Sequence, residues 1–401
     1  MSDKPPELHQ WLIQPLSSEV ARSMRKLARR ADVAHIALMP DVHLSENVCV
    51  GTVMATTHLL YPSAVGGDIG CGMAAMAFDA DASVLASETN AARLLSALRE
   101  KVPSNRHRSP QSLPQLLTEP AQQFSPTPDP ELKATDRISC NPCESLLSHP
   151  RLEAIKRRDG AVQFATLGGG NHFLEFQTDD AEDGRLWLML HTGSRAIGQA
   201  IRDHHLACAV GRPLPALDSH TPAGQAYLAD MDWAVRYAEA SRRTIAEHVS
   251  QIMRDLFGIA PVESTYFDCH HNFIRAELHD GRSLYVHRKG AIPAAAGEPG
   301  IVPGSMGTAS FHVEGKGHAP SLNSGAHGAG RAMSRDQARR QITPRDLARQ
   351  MNGIWFDPAM ASALCEEAPA AYKQIEKVLR AQRDLVRVAR RLRPMLVYKG
   401  R

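Results

Sequence analysis

Residues 65–76, VGGDIGCGMAAM, constrain this chain more than any other stretch. Gly66, Gly67, Gly70 and Gly72 allow backbone angles that other residues resist, so the run can close tightly around a small object. Asp68 and Cys71 project from the same run, three residues apart. A carboxylate and a thiolate aimed from one tight loop make half of a metal site. The same residues also read as a glycine-rich turn between two strands, with an inert buried cysteine. Partners elsewhere in the chain decide between the two readings.

Three histidines supply such partners. His172 closes Leu-Gly-Gly-Gly-Asn-His (167–172), His191 follows the apolar run 186–190, and His271 belongs to Cys-His-His-Asn (269–272). With Asp68 and Cys71 they are the candidate metal ligands. Imidazole and thiolate together favour zinc, manganese, iron or cobalt over magnesium. Five ligands exceed what one tetrahedral ion needs, whereas two ions sharing Cys71 as a bridge use all five.

A second constellation suits phosphate. The runs Gly168-Gly169-Gly170, Gly304-Ser305-Met306-Gly307 and Gly328-Ala329-Gly330 can turn backbone N–H groups toward an anion. Arg195, Arg288, Lys289, Arg331 and Arg335 stand beside these or other glycine turns. Guanidinium forks match phosphate oxygens, although each cation alone also reads as a solvated surface charge. His327 lies among glycines and alanines in 324–331, which leave its ring approachable. An imidazole can attack phosphorus and hold it covalently. Another metal-ligating histidine, or a structural one, is the alternative there.

The remaining pattern is strand, then glycine or polar loop, several times over. Helices are expected over 17–31, 83–101, 151–158 and 223–257, and strands over 35–39, 48–60, 73–78, 160–166, 173–177, 186–190 and 284–287. Residues 102–149, rich in proline and serine, read as a surface excursion with a short helix near 112–117. The Cys140–Cys143 pair inside it is a weak metal or redox signal without a second pair nearby. Residues 343–391 read as two or three helices. The expected fold is therefore α+β, a single mixed domain over 1–401 with a β-sheet core, loops converging on one pocket and a helical C-terminal segment. A hydrophobic content of 43% suits such a core, and a formal charge of +3 does not announce a nucleic-acid binder. Seven scattered cysteines, an odd number, imply no disulfide framework and point to a reducing cytoplasm. The polar N-terminus shows no secretory signal, and no apolar run is long enough to span a membrane.

The stretches PDVH (40–43), GGDIGCGM (66–73), LGGGNHFLE (167–175), HTGSRAIG (191–198), HHNF (270–273), RKGA (288–291), VPGSMGTASF (302–311), GAHGAGRAMSR (325–335) and EEAPAAYK (366–373), with a terminal Lys-Gly, follow one another along nearly the whole chain. Together they resemble the RtcB family of RNA ligases. The resemblance implies GTP and two Mn2+ ions as cofactors. The implied substrates are RNA ends carrying a 3′-phosphate or 2′,3′-cyclic phosphate and RNA ends carrying a 5′-hydroxyl. By motif position Asp68, Cys71 and His172 resemble the ligands of one ion, and Cys71, His191 and His271 those of the other. His327 matches the histidine that becomes guanylylated. Asn171 and Asp41 match residues near the nucleotide, and Glu175 one that recognises guanine. Ser305, Ser310, Tyr372 and Lys399 fall where the guanine pocket lies, and Arg195, Lys289 and Arg335 match contacts to RNA phosphates.

The chain departs from the family pattern in two places. Leu44-Ser45-Glu46-Asn47-Val48-Cys49 replaces a glycine-rich continuation after PDVH, and Arg401 follows the terminal Lys-Gly. Residues 102–149 match nothing in the family pattern. Two rival readings stand beside ligation. A dimetal phosphoesterase would need the ions but not His327, Glu175 or Lys399, and a non-catalytic RNA-end binder would be expected to have lost a ligand or the nucleophile. The physiological RNA and the need for an activating protein stay open at this level.

Overall fold

Alternation with period two, buried on both faces, sets the centre of the fold. In the strand Gly72–Asp81, Met73, Ala75 and Ala77 enter one apolar cluster while Ala74, Met76 and Phe78 enter another. A strand so apolar must lie inside a sheet covered on both sides. The computed structural model, which describes residues 6–114, 117, 147–180, 184–211 and 213–400, places it there. The seven-stranded sheet runs, in order, Pro299–Val302, Ser310–Gly315, Val386–Lys399, Phe173–Asp179, Arg185–Thr192, Gly72–Asp81 and Pro261–His270. Its two outer strands touch, so the sheet curls toward a barrel.

A second sheet of five strands has the order Glu7–Gln10, Val33–His43, Val50–Thr56, Arg282–Lys289 and Asn272–His279. The 36-residue helix Pro222–Phe257 covers one face of the large sheet. Thr221 caps its start through the Gly224 N–H, Pro222 occupies its first turn, and Gly258 ends it with φ +70°. The helix Ser18–Leu27 buries Val20, Met24 and Leu27, and Ser17 caps it by accepting from Val20 N. Shorter helices, Arg335–Gln341, Pro344–Gln350 and Ile375–Ala381, follow the His327 segment. Leu347, Met351 and Leu364 pack there against Met306 of a glycine-serine loop.

Two expectations need correction. The segment 343–391 is helical only in part, because Val386–Lys399 is a 14-residue strand in the middle of the large sheet. Its arginines resemble a charged helix face, yet they pair across strands: Arg387 with Glu314, Arg390 with Asp179, and Arg391 and Arg393 with Asp180. Residues 160–166 form a helical turn, Ala161–Gln163, rather than a strand. The Cys140–Cys143 pair and most of the excursion lie outside the described residues. Cys49, Cys71, Cys208, Cys269 and Cys365 are free thiols. Among the described residues no helix is long and apolar enough to cross a membrane.

Candidate metal and nucleotide site

Antiparallel register gathers the proposed ligands at one end of the curled sheet. Gly72 pairs with both Thr192 and His270, and Phe173 pairs with His191. Cys71, His191, His271 and His172 therefore stand at or beside four adjacent strand ends. The loop bearing Asp68 and Cys71 can turn there because Gly70 has φ +67°, and any Cβ on it would press on the backbone of Val235.

The five predicted ligands form two overlapping groups, Asp68–Cys71–His172 and Cys71–His191–His271. Cys71 Sγ belongs to both, 3.5 Å from His172 Nε2 and 3.2 Å from His191 Nε2. His172 Nε2 is 2.8 Å from Asp68 Oδ2, and His191 Nε2 is 3.3 Å from His271 Nε2. The Asn171 carbonyl accepts from His191 Nδ1 at 3.1 Å, which leaves the lone pair on Nε2 facing the cluster. Burial holds His191 and His271 well below the ordinary imidazole value, so both rings are neutral donors. Burial, then the Asp68 charge, pushes the Cys71 thiol well up. A buried sulfur, three imidazoles and a carboxylate gathered within these distances are a donor set suited to metal binding.

A cleft of about 1120 Å³ opens over this cluster. Asp68, Cys71, His191, His271, Asn171, Glu175, Lys289, Ser305, Ser310, His327, Arg335, Tyr372 and Lys399 line it, while Asp41, His172 and Arg195 stand behind the lining. The His327 ring is centred 4.7 Å from that of His271. Its Nδ1 lies 2.6 Å from Oδ2 of the fully buried Asp41. A carboxylate can only accept, so Nδ1 donates and Nε2 keeps its lone pair. Lys373 Nζ holds this end of the strand Val33–His43 by donating to the carbonyls of Pro40 and Val42, on either side of Asp41.

The far wall carries a charged network centred on Glu367. This buried carboxylate accepts from Arg331 at 3.2 Å, from Lys399 at 3.2 Å, and from Arg335 and the Tyr372 hydroxyl. Arg331 also stacks on the Tyr372 ring at 5.1 Å. Glu175 is buried beside the cleft with Gln177 Nε2 at 2.6 Å, and burial pushes its carboxyl up to about 8, against Gln177 and Lys399. Ser310 Oγ accepts from Gly304 N, and Ser305 bonds to Thr308.

Of the cations expected beside glycine turns, Arg288 turns away. It is buried on Glu277, Ser324 and the Leu322 carbonyl, and so serves the fold. Arg195 N donates to Asp68 Oδ1, and its guanidinium lies 3.4 Å from His172 Nδ1. The space for that guanidinium exists because residue 168 is glycine; a Cβ there would collide with both Arg195 and His172. Lys289 is buried, which pulls its amine down to about 8, and Nζ reaches the Ser63 and Glu46 carbonyls. Arg335 pairs with Glu366 at 2.5 Å and with Glu367.

A sequence model of the family described as tRNA-splicing ligase RtcB matches residues 23–400. The chain belongs to the RtcB family. It is 34% identical over 382 residues to the RNA-splicing ligase RtcB1 of Escherichia coli, covering 91% of this chain and 90% of that protein. It is 33% identical to RNA-splicing ligase RtcB of Escherichia coli K12 over the same shares. The RNA-splicing ligase RtcB of Mycobacterium tuberculosis is 32% identical over 423 residues, which covers 90% of this chain and 96% of that one. The chain is therefore an RNA ligase of the RtcB type, acting on RNA ends.

Sequence reasoning missed two residues of this RtcB site. Arg242, fully buried on the long helix, holds Asp268 through two bonds of 2.6 and 2.7 Å. It also donates to the carbonyls of Gly70 and Thr192 at 2.9 and 2.8 Å, beside Cys71 and His191. One guanidinium thus braces three segments that carry proposed ligands. Asn272 likewise donates to the Asp68 carbonyl and accepts from Gly290 N. The HHNF motif named Asn272 without a role, whereas nothing local marks Arg242, whose partners are distant in sequence.

Proposed function

We propose that this RtcB ligase joins an RNA 3′-phosphate or 2′,3′-cyclic phosphate end to a 5′-hydroxyl end, using GTP, two manganese ions and a guanylyl group carried on His327. The observation carrying the proposal is the Asp41–His327 pair, set beside the sulfur-centred cluster within one cleft. Asp68, Cys71 and His172 would hold one ion, and Cys71, His191 and His271 the other. Bound there, the ions would neutralise charge on phosphate oxygens.

His327 Nε2 attacks the α-phosphorus of GTP, a nitrogen–phosphorus bond forms, and the bond to pyrophosphate breaks. The ring becomes cationic, and the Asp41 carboxylate on Nδ1 stabilises that charge. An oxygen of the RNA 3′-phosphate then attacks the same phosphorus, and the imidazole leaves with its electron pair. The 5′-hydroxyl oxygen attacks the RNA phosphorus, loses its proton, and expels GMP. A cyclic end is first opened by water to a 3′-phosphate. Asn171 is assigned to the nucleotide phosphates. Glu175, Ser305, Ser310, Tyr372 and Lys399 are assigned to guanine, and Arg195, Lys289 and Arg335 to RNA phosphates. Free thiols support a reducing, cytoplasmic setting.

The test is end-joining of two short RNAs with defined termini, scanned across metals and nucleotides. Joining that requires manganese, GTP and a 3′-phosphate is expected. Removal of the 3′-phosphate without joining would instead identify a phosphoesterase.

A further inference from the structure

A second group of metal-ligating side chains lies on the five-stranded sheet. The strand Glu7–Gln10 runs parallel to Val33–His43, with Glu7 opposite His35 and His9 opposite Ala37. Strand period two puts Glu7 and His9 on one face, and the register sets His35 beside Glu7. His35 Nδ1 lies 3.7 Å and His9 Nε2 4.0 Å from Glu7 Oε2. One ligand atom from each residue falls within 4.8 Å of the others. The two imidazoles stack with centroids 5.0 Å apart and planes at 23°.

The tautomer of His35 points to an occupant. Its Nε2 contacts the Pro320 carbonyl at 2.9 Å, and a carbonyl can only accept. The proton therefore sits on Nε2, and the Nδ1 lone pair faces a carboxylate. That is how a metal-binding histidine is held, with its outer nitrogen on a backbone carbonyl and its inner one free to ligate. A single proton would relieve the conflict between lone pair and carboxylate, but it would not call for a second imidazole converging on the same oxygen.

We propose that Glu7, His9 and His35 form an additional metal site, separate from the cleft, for zinc or another borderline divalent ion. Two imidazoles and one carboxylate leave the remaining positions to water. The side chains are 57%, 39% and 12% exposed, so the ion exchanges with solvent.

The site has a consequence for the cleft. The strand bearing Glu7 and His9 leads into residues 12–17 of the cleft wall. The strand bearing His35 ends in Pro40–His43, which includes Asp41. Pro320 precedes the strand Ser324–Ala326 and then His327. An ion at this point ties together three segments that converge on the Asp41–His327 pair.

The test titrates the metal-stripped full chain with cobalt(II) alone at neutral pH. Cobalt bound by thiolate shows sulfur charge-transfer absorption, and cobalt bound by nitrogen and oxygen does not. The wild type is expected to take one equivalent that lacks this absorption. That equivalent should quench Trp11, which stacks 6.4 Å from His9, and zinc should displace it. His9→Ala should lose this equivalent and keep the sulfur band unchanged. Trp11→Phe should keep the equivalent and lose the quenching. Half-exposed His9 carries the test even where His35→Ala fails to fold. An unchanged cobalt count in His9→Ala, or binding only at millimolar metal, overturns the proposal. Loss of the sulfur band in the wild type would bear on the cleft alone.

Discussion

Replacing Arg242 by Met tests whether the metal loops are held from behind. The substitution keeps much of the side-chain volume and removes five donors. Asp268, 7% exposed, would lose both of its bonds to the guanidinium. Removing the guanidinium from this buried carboxylate, which keeps only His270 Nδ1 at 3.4 Å, costs about 3–5 kcal/mol. The carbonyls of Gly70 and Thr192 lose their partner too, at roughly 1 kcal/mol each. The expected loss is about 5–7 kcal/mol. Unfolding entropy of about 2.1 cal/mol/K per residue amounts to about 0.8 kcal/mol/K over 401 residues, so Tm should fall by about 6–8 °C. Calorimetry on the metal-free protein measures this. Metal titration should show affinity weakened about 10- to 100-fold, because the brace orients the ligands without binding the ions. Arg242→Met with Asp268→Leu removes the stranded charge and should recover about 3–5 kcal/mol of stability without restoring metal affinity. A single variant that melts with the wild type and binds metal equally would refute the bracing argument.

Asp41→Asn should turn an amide N–H toward His327 Nδ1 and move the ring proton to Nε2. Single-turnover guanylylation is expected to slow by about 10⁴, and an unchanged rate would remove Asp41 from the mechanism. The proposed role of Glu175 as acceptor for guanine requires its carboxylate form, so GTP affinity should rise about tenfold per pH unit up to about 8 and level off above it. Glu175→Gln should flatten that profile, and a flat wild-type profile contradicts the assignment. In the free protein the sign reverses. The folded value lies above the unfolded one, so this contribution to stability is complete below about pH 4.5 and is lost as pH rises through about 8. Cys71→Ala should weaken both ions in metal analysis; unchanged stoichiometry and activity would end the bridging assignment. Arg335→Ala should weaken RNA joining more than guanylylation, and equal loss of both steps would contradict an RNA contact.

The site was legible where its chemistry is local. Asp68 and Cys71 share one glycine loop, His191 and His271 close or follow apolar strands, and His172 ends a glycine run just before one, so each proposed ligand carries its own signal. The bonds between distant residues were not legible. Asp41 and His327 were both singled out, but their pairing spans 286 residues and depends on the sheets. Arg242 looks like one more arginine on an amphipathic helix until Asp268 is placed beneath it. Arg288 looks like a phosphate ligand until strand pairing turns it onto Glu277. The strand Val386–Lys399 was missed because its arginines mimic a helix face, and because Pro394 argues against a central strand. The structure accommodates that proline with a register shift between Pro394 and Leu396.

The most direct measurement is the position of the guanylyl group after reaction with GTP labelled at the α-phosphate. An acid-labile, alkali-stable adduct on the peptide containing His327, bonded through Nε2 and missing from His327→Ala, is the predicted result. An adduct on a lysine, or RNA joining at the wild-type rate by His327→Ala, would contradict it.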